Sequence, residues 1–227
     1  MKIHNGIAII ERDTHLSKWV VEHNRLDFDI NALPTYLPYF PKNGTLINIG
    51  ANIGCYAYAF KDIASKIVCF EPNGEAFECL EYNLAKYPNV ELHKIAISDK
   101  ISNCTINNDS DNVGMAYIEE NNGCAPFLIS VRYLDFYELD SCDFILMDCE
   151  GFELKALIGA KETINKFKPI MVIEINDATL SRQGISRNDI FAWLKENNYI
   201  YRNIYENQGL NDSQLDIICT PNDIRNT

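Results

Sequence analysis

Four stretches of the chain are apolar almost throughout: "TLINI" (45–49), "KIVCFEP" (66–72), "DFILMD" (143–148) and "PIMVIEI" (169–175). A strand with one face in water alternates apolar and polar residues; a strand that does not alternate must be covered on both sides. Helical patterns separate these runs, at roughly 54–63, in "GEAFECLEYNLAKY" (74–87), in "ELKALIGAKETINKF" (153–167) and in "ISRNDIFAWLKENN" (185–198). In the second of these, Phe77, Leu80, Leu84 and Tyr87 share one face. A third strand is expected over "NVELHKIAI" (89–97). This alternation predicts an α/β fold: a mostly parallel sheet with helices on both faces. The last two strands, "YIYRNIYE" (199–206) and "LDIICT" (215–220), follow one another without a helix. The final one is therefore expected to be antiparallel and to lie at the sheet edge.

The 227 residues suffice for one such domain, placed here at 44–227. Residues 1–43 read as an N-terminal extension lying over the acceptor side. It opens on a hairpin in "IHNGIAII", where Asn5-Gly6 suits a type I′ turn. "NALPTYLPYF" (31–40) follows, with helical spacing broken by prolines. The region 100–131 is rich in Asn, Asp, Ser and Gly, with short β-like runs at 115–119 and 127–131, and reads as an inserted hairpin or lid.

Composition narrows the function classes. With 32 acidic against 20 basic side chains, the net charge of −12 repels phosphate polyanions, so no nucleic-acid partner is expected. The eight cysteines contain no CxxC pair, which argues against zinc and a disulfide framework and for free thiols packed as small core groups. No run reaches the ~18 apolar residues of a membrane span. The N-terminal apolar run is too short, and charged too soon, for a signal peptide. The expectation is a soluble cytoplasmic protein with no membrane partner.

The stretch "INIGANIG" (47–54) carries the first chemical signal. A strand, a glycine turn, a helix and then an acid closing the next strand is a nucleoside-binding layout, because a carboxylate at that tip can accept both hydrogen bonds of a ribose diol. The acid is Glu71, 23 residues after Asn48. The dinucleotide pattern GxGxxG and the phosphate-binding GxxxxGK[ST] are both absent, which leaves little room for a nicotinamide oxidoreductase. The looser D/E-x-G-x-G-x-G turn of S-adenosylmethionine (SAM) enzymes does fit, with Asn48, Gly50, Asn52 and Gly54 at its marked places.

"INIGANIGCYAYAF", "VCFEPNGEAFECLEYNL", "VELHKIAISD" and "FILMDCEGFELKALIGAKETINKFKPIMVIE" together resemble the FkbM family of SAM-dependent methyltransferases, over about residues 44–175. The resemblance implies a class I methyltransferase (Rossmann-like) fold: seven strands in the order 3-2-1-4-5-7-6, the seventh antiparallel. It also implies methyl transfer to oxygen, on a hydroxyl of a sugar, glycan or small metabolite. Asn48 stands where the family usually carries Asp; the amide keeps the hydrogen-bonding reach and loses the charge. Asp99, in "AISD", resembles the residue near the adenine amino group, and a plain turn residue is the alternative. The cofactor set is thus Asn48, Gly50, Asn52, Gly54, Glu71 and Asp99.

Asp148, Glu150 and Glu174 are the catalytic candidates. Transfer from a sulfonium is an in-line displacement, so the protein must position the acceptor oxygen and take its proton, and a carboxylate within reach serves as that base. Alternatively Asp148 and Glu150 hold a Mg²⁺ that lowers the alcohol's pKa. Glu153 reads instead as an acid favouring a helix N-terminus. Tyr56, Tyr117 and Tyr133 are candidate stacking groups, and His15 or His23 reaches the site only if the N-terminal segment folds over it. The competing reading is a catalytically inactive binding protein that keeps the methyltransferase fold.

Overall fold

The structure is a computed structural model that describes residues 1–27, 33–107, 117–120, 128–205 and 209–222. Seven strands form the central sheet: β3 (Thr45–Ile49), β4 (Lys66–Phe70), β5 (Val90–His93), β10 (Phe144–Met147), β11 (Ile170–Asn176), β12 (Tyr199–Asn203) and β13 (Gln214–Pro221). Their spatial order is β12-β13-β11-β10-β3-β4-β5. Numbered within this sheet, that is the 3-2-1-4-5-7-6 order. β13 runs antiparallel to both its neighbours, while β11, β10, β3, β4 and β5 pair in parallel. The last strand is antiparallel, as its missing crossover helix requires, but it does not lie at the edge. It inserts between β11 and β12, and β12 takes the edge.

Alternation along each strand sorts the core into two layers. Ile47, Ile49, Ile145, Met147, Met171 and Ile173 pack with α5 (Glu153–Gly159), α6 (Lys161–Phe167), α7 (Asp177–Arg182) and α8 (Arg187–Glu196). Leu46, Phe144, Leu146, Val172 and Ile218 pack on the other face with α2 (Leu33–Tyr36), α3 (Cys55–Phe60) and α4 (Gly74–Leu84). Every residue of β3 is buried, and so is every residue of β10, which is why neither run alternates in sequence.

Three elements depart from the sequence pattern. The run 89–97 is two strands: β5 stays in the main sheet, and β6 (Ala96–Ile97) leaves it to pair in parallel with β9 (Leu128–Arg132). β9 belongs to a second, four-stranded sheet of order β6-β9-β7-β8, with β7 (Ser102–Asn107) and β8 (Tyr117–Glu120). This sheet is the described part of the 100–131 insertion; residues 108–116 and 121–127 lie outside the described residues. The helical pattern 153–167 breaks at Ala160, where φ is −110°. Gly159 lies so close to the Ser98 carbonyl that a Cβ there would strike it. The residues after β11 form the short α7, capped by the Asn176 side chain accepting from the Ala178 N–H.

Residues 1–27 are fixed to the domain from one side. The hairpin β1 (Lys2–His4) and β2 (Ile7–Ile9) turns through Asn5 at φ 47° and Gly6 at φ 82°, the two positive values a type I′ turn needs. α1 (Leu16–His23) follows, its first turn held by Asp13, which accepts from the Ser17 N–H at 2.7 Å. Ala8, Ile9, Ile10, Val20 and Leu26 pack with Ile53, Cys55, Ala76 and Cys79, and so against the start of α3 and of α4. The seven described cysteines are all free and six are buried, as unpaired core thiols should be. Among the described residues no helix is long and apolar enough to cross a membrane.

Asn83 of α4 is the polar tie in this packing. Its Oδ1 accepts from the Ala8 N–H at 2.8 Å, and its Nδ2 donates to the carbonyls of Ala8 and Ile53 at 3.1 and 2.9 Å. Asn83→Ala strands three buried backbone groups. It is expected to cost roughly 2–4 kcal/mol in urea unfolding and to raise hydrogen exchange selectively over residues 7–10 and 51–55.

Candidate active site

A cavity of about 430 Å³ opens at the carboxyl ends of β4, β3, β10 and β11, the edge where sheets of this type bind ligands. That volume lies within the roughly 300–1,000 Å³ range of small-molecule sites. One end is formed by the β3–α3 turn. Gly50 sits at φ 82°, and a Cβ there would run into the Asp148 carbonyl oxygen, so the turn needs glycine because a neighbouring loop crosses it. Gly54 sits at φ 100°, where a Cβ would come 2.8 Å from Leu84 Cδ1 and 2.9 Å from Leu80 Cδ1. Gly54 thus lets α3 approach α4, and it is not among the residues lining the cavity.

Each backbone N–H of the turn already has a protein acceptor. Gly50 and Ala51 both donate to the Phe70 carbonyl, at 2.9 and 3.1 Å, and Gly54 to Ala51 O at 2.9 Å. Ile53 donates to Asn52 Oδ1 at 2.8 Å, and Asn52 donates to Glu71 Oε2 at 2.7 Å. A phosphate cradle needs free donors here, and this turn has none to spare.

Glu71 closes β4 and is 6% exposed. Its second oxygen accepts from the Asn73 N–H at 2.7 Å, so one carboxylate ties together the turns before α3 and before α4. Burial pushes the Glu71 carboxyl up to about 7, against the two backbone N–H bonds, which favour the ionised form. His15 and Leu16 of the N-terminal segment and Ile106 of the inserted sheet also line the cavity. Of the two histidines, His15 therefore reaches the site, while His23 stacks on Trp19 away from it. Tyr56 lines the cavity with Tyr36, their ring centroids 6.0 Å apart; Tyr133 does not, and the side chain of Tyr117 lies outside the described residues.

The other end is acidic. Glu174 and Asp216 are paired across β11 and β13, and Asp148 follows Met147, the partner of Ile173, so three carboxylates sit side by side on adjacent strands. Glu150 joins them from the loop before α5. One oxygen each from Asp148, Glu150 and Glu174 lies within 4.8 Å of the others. The loop owes its shape to Glu153, which accepts from the N–H groups of Cys149 at 3.1 Å and Gly151 at 3.0 Å. Glu150 at φ 52° and Gly151 at φ 102° complete the bend. Glu153 stands in the first turn of α5, as its sequence position suggested, but at 2% exposed it spends its carboxylate on the loop N–H groups.

Crowding acts on these groups as electrostatics requires. The Asp148 carboxyl is held well above its usual range, first by burial and then by Glu174 and Glu150. Glu150 is pushed up to about 8 by burial and by Glu174 and Glu153, with Arg182 opposing. Four buried side-chain atoms have no hydrogen-bond partner among the described residues: Asn48 Oδ1, Asn73 Nδ2, Asp148 Oδ1 and Glu150 Oε2. All four residues line this one cavity.

Of the expected site residues, Asn48, Gly50, Asn52, Glu71, Asp148, Glu150 and Glu174 meet here, while Gly54 and Asp99 do not. Asp99 is exposed and accepts a hydrogen bond from the Ser98 hydroxyl at 3.1 Å. The cause is the departure of residues 96–99 from the main sheet into the second one. Asp216, Tyr36, Asn73 and Gln214 were not read from sequence. Asp216 had one available signal, an acid set inside the apolar run "LDIICT", but its meaning depends on the strand it pairs with.

The sheet order and this cavity define a class I methyltransferase fold. More narrowly, the chain belongs to the FkbM methyltransferase family, since the Methyltransferase FkbM domain matches residues 48–201. It is similar to the 2-O-methyltransferase NoeI of Sinorhizobium fredii, 27% identical over 143 residues, which cover 53% of this chain and 59% of that one. It resembles in fold the methyltransferase FkbM of Methylobacillus flagellatus, with a TM-score of 0.54 and 20% identity over 78% of this chain and 43% of that one. A Streptococcus mutans protein in complex with SAH superimposes with a TM-score of 0.52 and 10% identity, covering 84% of this chain and 95% of that one. The chain thus spans 59% of the length of the curated relative and 43% of the FkbM structure.

The raised Glu71 carboxyl sets a pH dependence of stability. The folded state holds this proton more tightly than the unfolded chain. The stability that Glu71 allows is therefore whole below about pH 4.5 and is lost as pH rises through about 7. Between pH 5 and pH 8, native protein is expected to lose on the order of 2–3 kcal/mol relative to Glu71→Gln. Urea unfolding of both proteins at the two pH values measures that difference.

Proposed function

We propose that this chain is a SAM-dependent O-methyltransferase acting on a hydroxyl of a sugar, glycan or small metabolite. The observation that carries the reading is the convergence of Glu71, the four unpartnered polar atoms and the Asp148–Glu150–Glu174 cluster on one cavity. Buried polar atoms without partners are costly, so a cavity lined by them is matched to a polar ligand. The unmet atoms at Asn48, Asp148 and Glu150 are acceptors and call for donors or positive charge; the amide of Asn73 calls for an acceptor. SAM fits that demand with its ammonium, sulfonium and ribose diol, and when bound it supplies a methyl group that is already electrophilic.

On this reading Glu71 accepts from the ribose hydroxyls, with Asn52 and Gly50 shaping the wall beside it. Asn48 and Asn73 meet the remaining polar groups of the cofactor. Gly54 and Asp99 have no part in binding. At the acidic end, Asp148, Glu150 and Glu174 orient the acceptor hydroxyl and take its proton as its oxygen bonds to carbon. A group poised near operating pH is the effective base, and burial with crowding brings Glu150 there. Five carboxylates line the cavity (Glu71, Asp148, Glu150, Glu174 and Asp216), with no Lys or Arg among the described lining residues, which supports an uncharged acceptor over a phosphorylated one. The name of the Sinorhizobium relative, a 2-O-methyltransferase, supports oxygen as the methylated atom.

Calorimetry with SAH tests the cofactor half: micromolar affinity is expected, at least tenfold weaker in Glu71→Ala. Because the ribose bonds need the ionised carboxylate, affinity in the native protein should fall as pH drops below about 7. Asp148→Asn should lower turnover by about 100-fold and leave SAH affinity within a few-fold. Collapse of affinity with normal turnover per bound cofactor would reverse these roles. SAH binding with no methyl transfer to any glycan or metabolite extract would favour the inactive binding protein.

A further inference from the structure

We propose that Asp148, Glu150 and Glu174 form a binding site for a divalent cation of the hard, oxygen-seeking kind, Mg²⁺ or Mn²⁺, and that this ion anchors the acceptor oxygen. The proposal rests on the methyl-transfer reading and names what its acidic end holds. Three carboxylate oxygens lie within 4.8 Å of one another. Around an octahedral ion with bonds of about 2.1 Å, ligand oxygens stand about 3 Å apart when adjacent and about 4.2 Å when opposite. A slight inward closing of the three side chains is therefore enough to seat one ion.

Independent observations point to a ligand at this end. The Asn48 side chain is 1% exposed, lines the same cavity and leaves its Oδ1 without a partner among the described residues. Asn48 stands on β3, between the strands that lead to Glu71 and to Asp148, and its amide oxygen accepts two hydrogen bonds, so beside the cofactor it has room for a water held on the ion. Asp148 Oδ1 and Glu150 Oε2 are likewise unpartnered. The carboxylates are also held in place by outer partners, as metal ligands characteristically are. Gln214 Nε2 donates to Glu174 Oε1 at 2.8 Å, and Glu153 fixes the loop that carries Glu150.

The donor set selects the ion. All three ligands are carboxylates, and among the described residues no histidine or cysteine joins the group, which disfavours Zn²⁺ and suits Mg²⁺ or Mn²⁺. Three acidic ligands leave other positions on the ion open for water and the acceptor oxygen. The ion lowers the pKa of a hydroxyl bound to it, and because each residue needs to give only one oxygen, a second oxygen of Asp148 or Glu150 remains to take the proton. The acceptor oxygen then forms its bond to the methyl carbon as the carbon–sulfur bond breaks, its electron pair passing to sulfur.

The test is titration of the full chain with MnCl₂, followed by calorimetry and by the electron paramagnetic resonance of free Mn²⁺, with and without SAH. One saturable site is expected, displaced by excess Mg²⁺. It should weaken at least tenfold in Glu174→Gln and in Glu150→Gln, with SAH affinity kept within about twofold as the check on folding. Native protein that binds SAH but shows no saturable Mn²⁺ site overturns the metal proposal and leaves the cofactor reading standing. A Mn²⁺ site unchanged in both variants overturns it equally, because the ion is then elsewhere. A site that behaves as expected in a protein that does not bind SAH supports the ion and removes the cofactor reading.

Discussion

Gly50 lies so near the carbonyl of Asp148 that a Cβ there would strike it, and the rest of the pocket depends on that approach. It brings the turn after β3 against the loop after β10, and so the Glu71 end of the cavity toward its clustered carboxylates. Only a residue without a Cβ, and able to adopt a φ of 82°, permits that distance. The glycines of "GANIG" are thus explained by protein packing before any ligand is considered. The same turn spends every N–H from Gly50 to Gly54 on its own acceptors, and so its chemistry toward a ligand comes from side chains.

Those side chains leave a charge problem that Arg182 opposes at Glu150 but does not cancel, since the Glu150 carboxyl still stands at about 8. Glu174 and Asp216 face each other across two strands, Asp148 lies beside them and Glu150 bends in from a loop. Like charges paired across strands destabilise a sheet. The arrangement persists because the surrounding structure over-determines it: Glu153 holds the loop, Gln214 holds Glu174, and α7 packs under the bend where Gly151 comes 2.5 Å, counted from a Cβ placed on it, from the Thr179 carbonyl. Stability given up in this way is characteristic of functional sites, where groups are held ready for a ligand that supplies the missing donors or positive charge.

The Glu71 end is more settled. Glu71 is satisfied by two backbone N–H groups, and Asn83 fastens the N-terminal hairpin behind the same turn. The hairpin and α1 thereby become part of the cavity wall through His15 and Leu16. Burial governs the acid here: a carboxylate taken out of water is harder to ionise, and a ligand that donates to it restores the balance.

The sequence by itself determined the sheet, because runs such as "TLINI" and "FILMD" are apolar on both sides and only a two-faced burial accommodates them. It also marked the candidate cofactor acid and all three clustered carboxylates, since Glu71, Asp148, Glu150 and Glu174 lie at or just after the far ends of apolar runs and short-range pattern suffices to place them there. Tertiary structure alone decided the rest. The insertion of β13 between β11 and β12 sets Asp216 against Glu174, a pairing across 42 residues that no local pattern encodes. The departure of β6 into a second sheet carries Asp99 away from the cavity, and the packing of α3 on α4 sets Gly54 at a contact between helices, off the cavity lining. Local periodicity reports which faces are buried; which side chains meet is set by register and by long-range packing, and these exist only once the chain has folded.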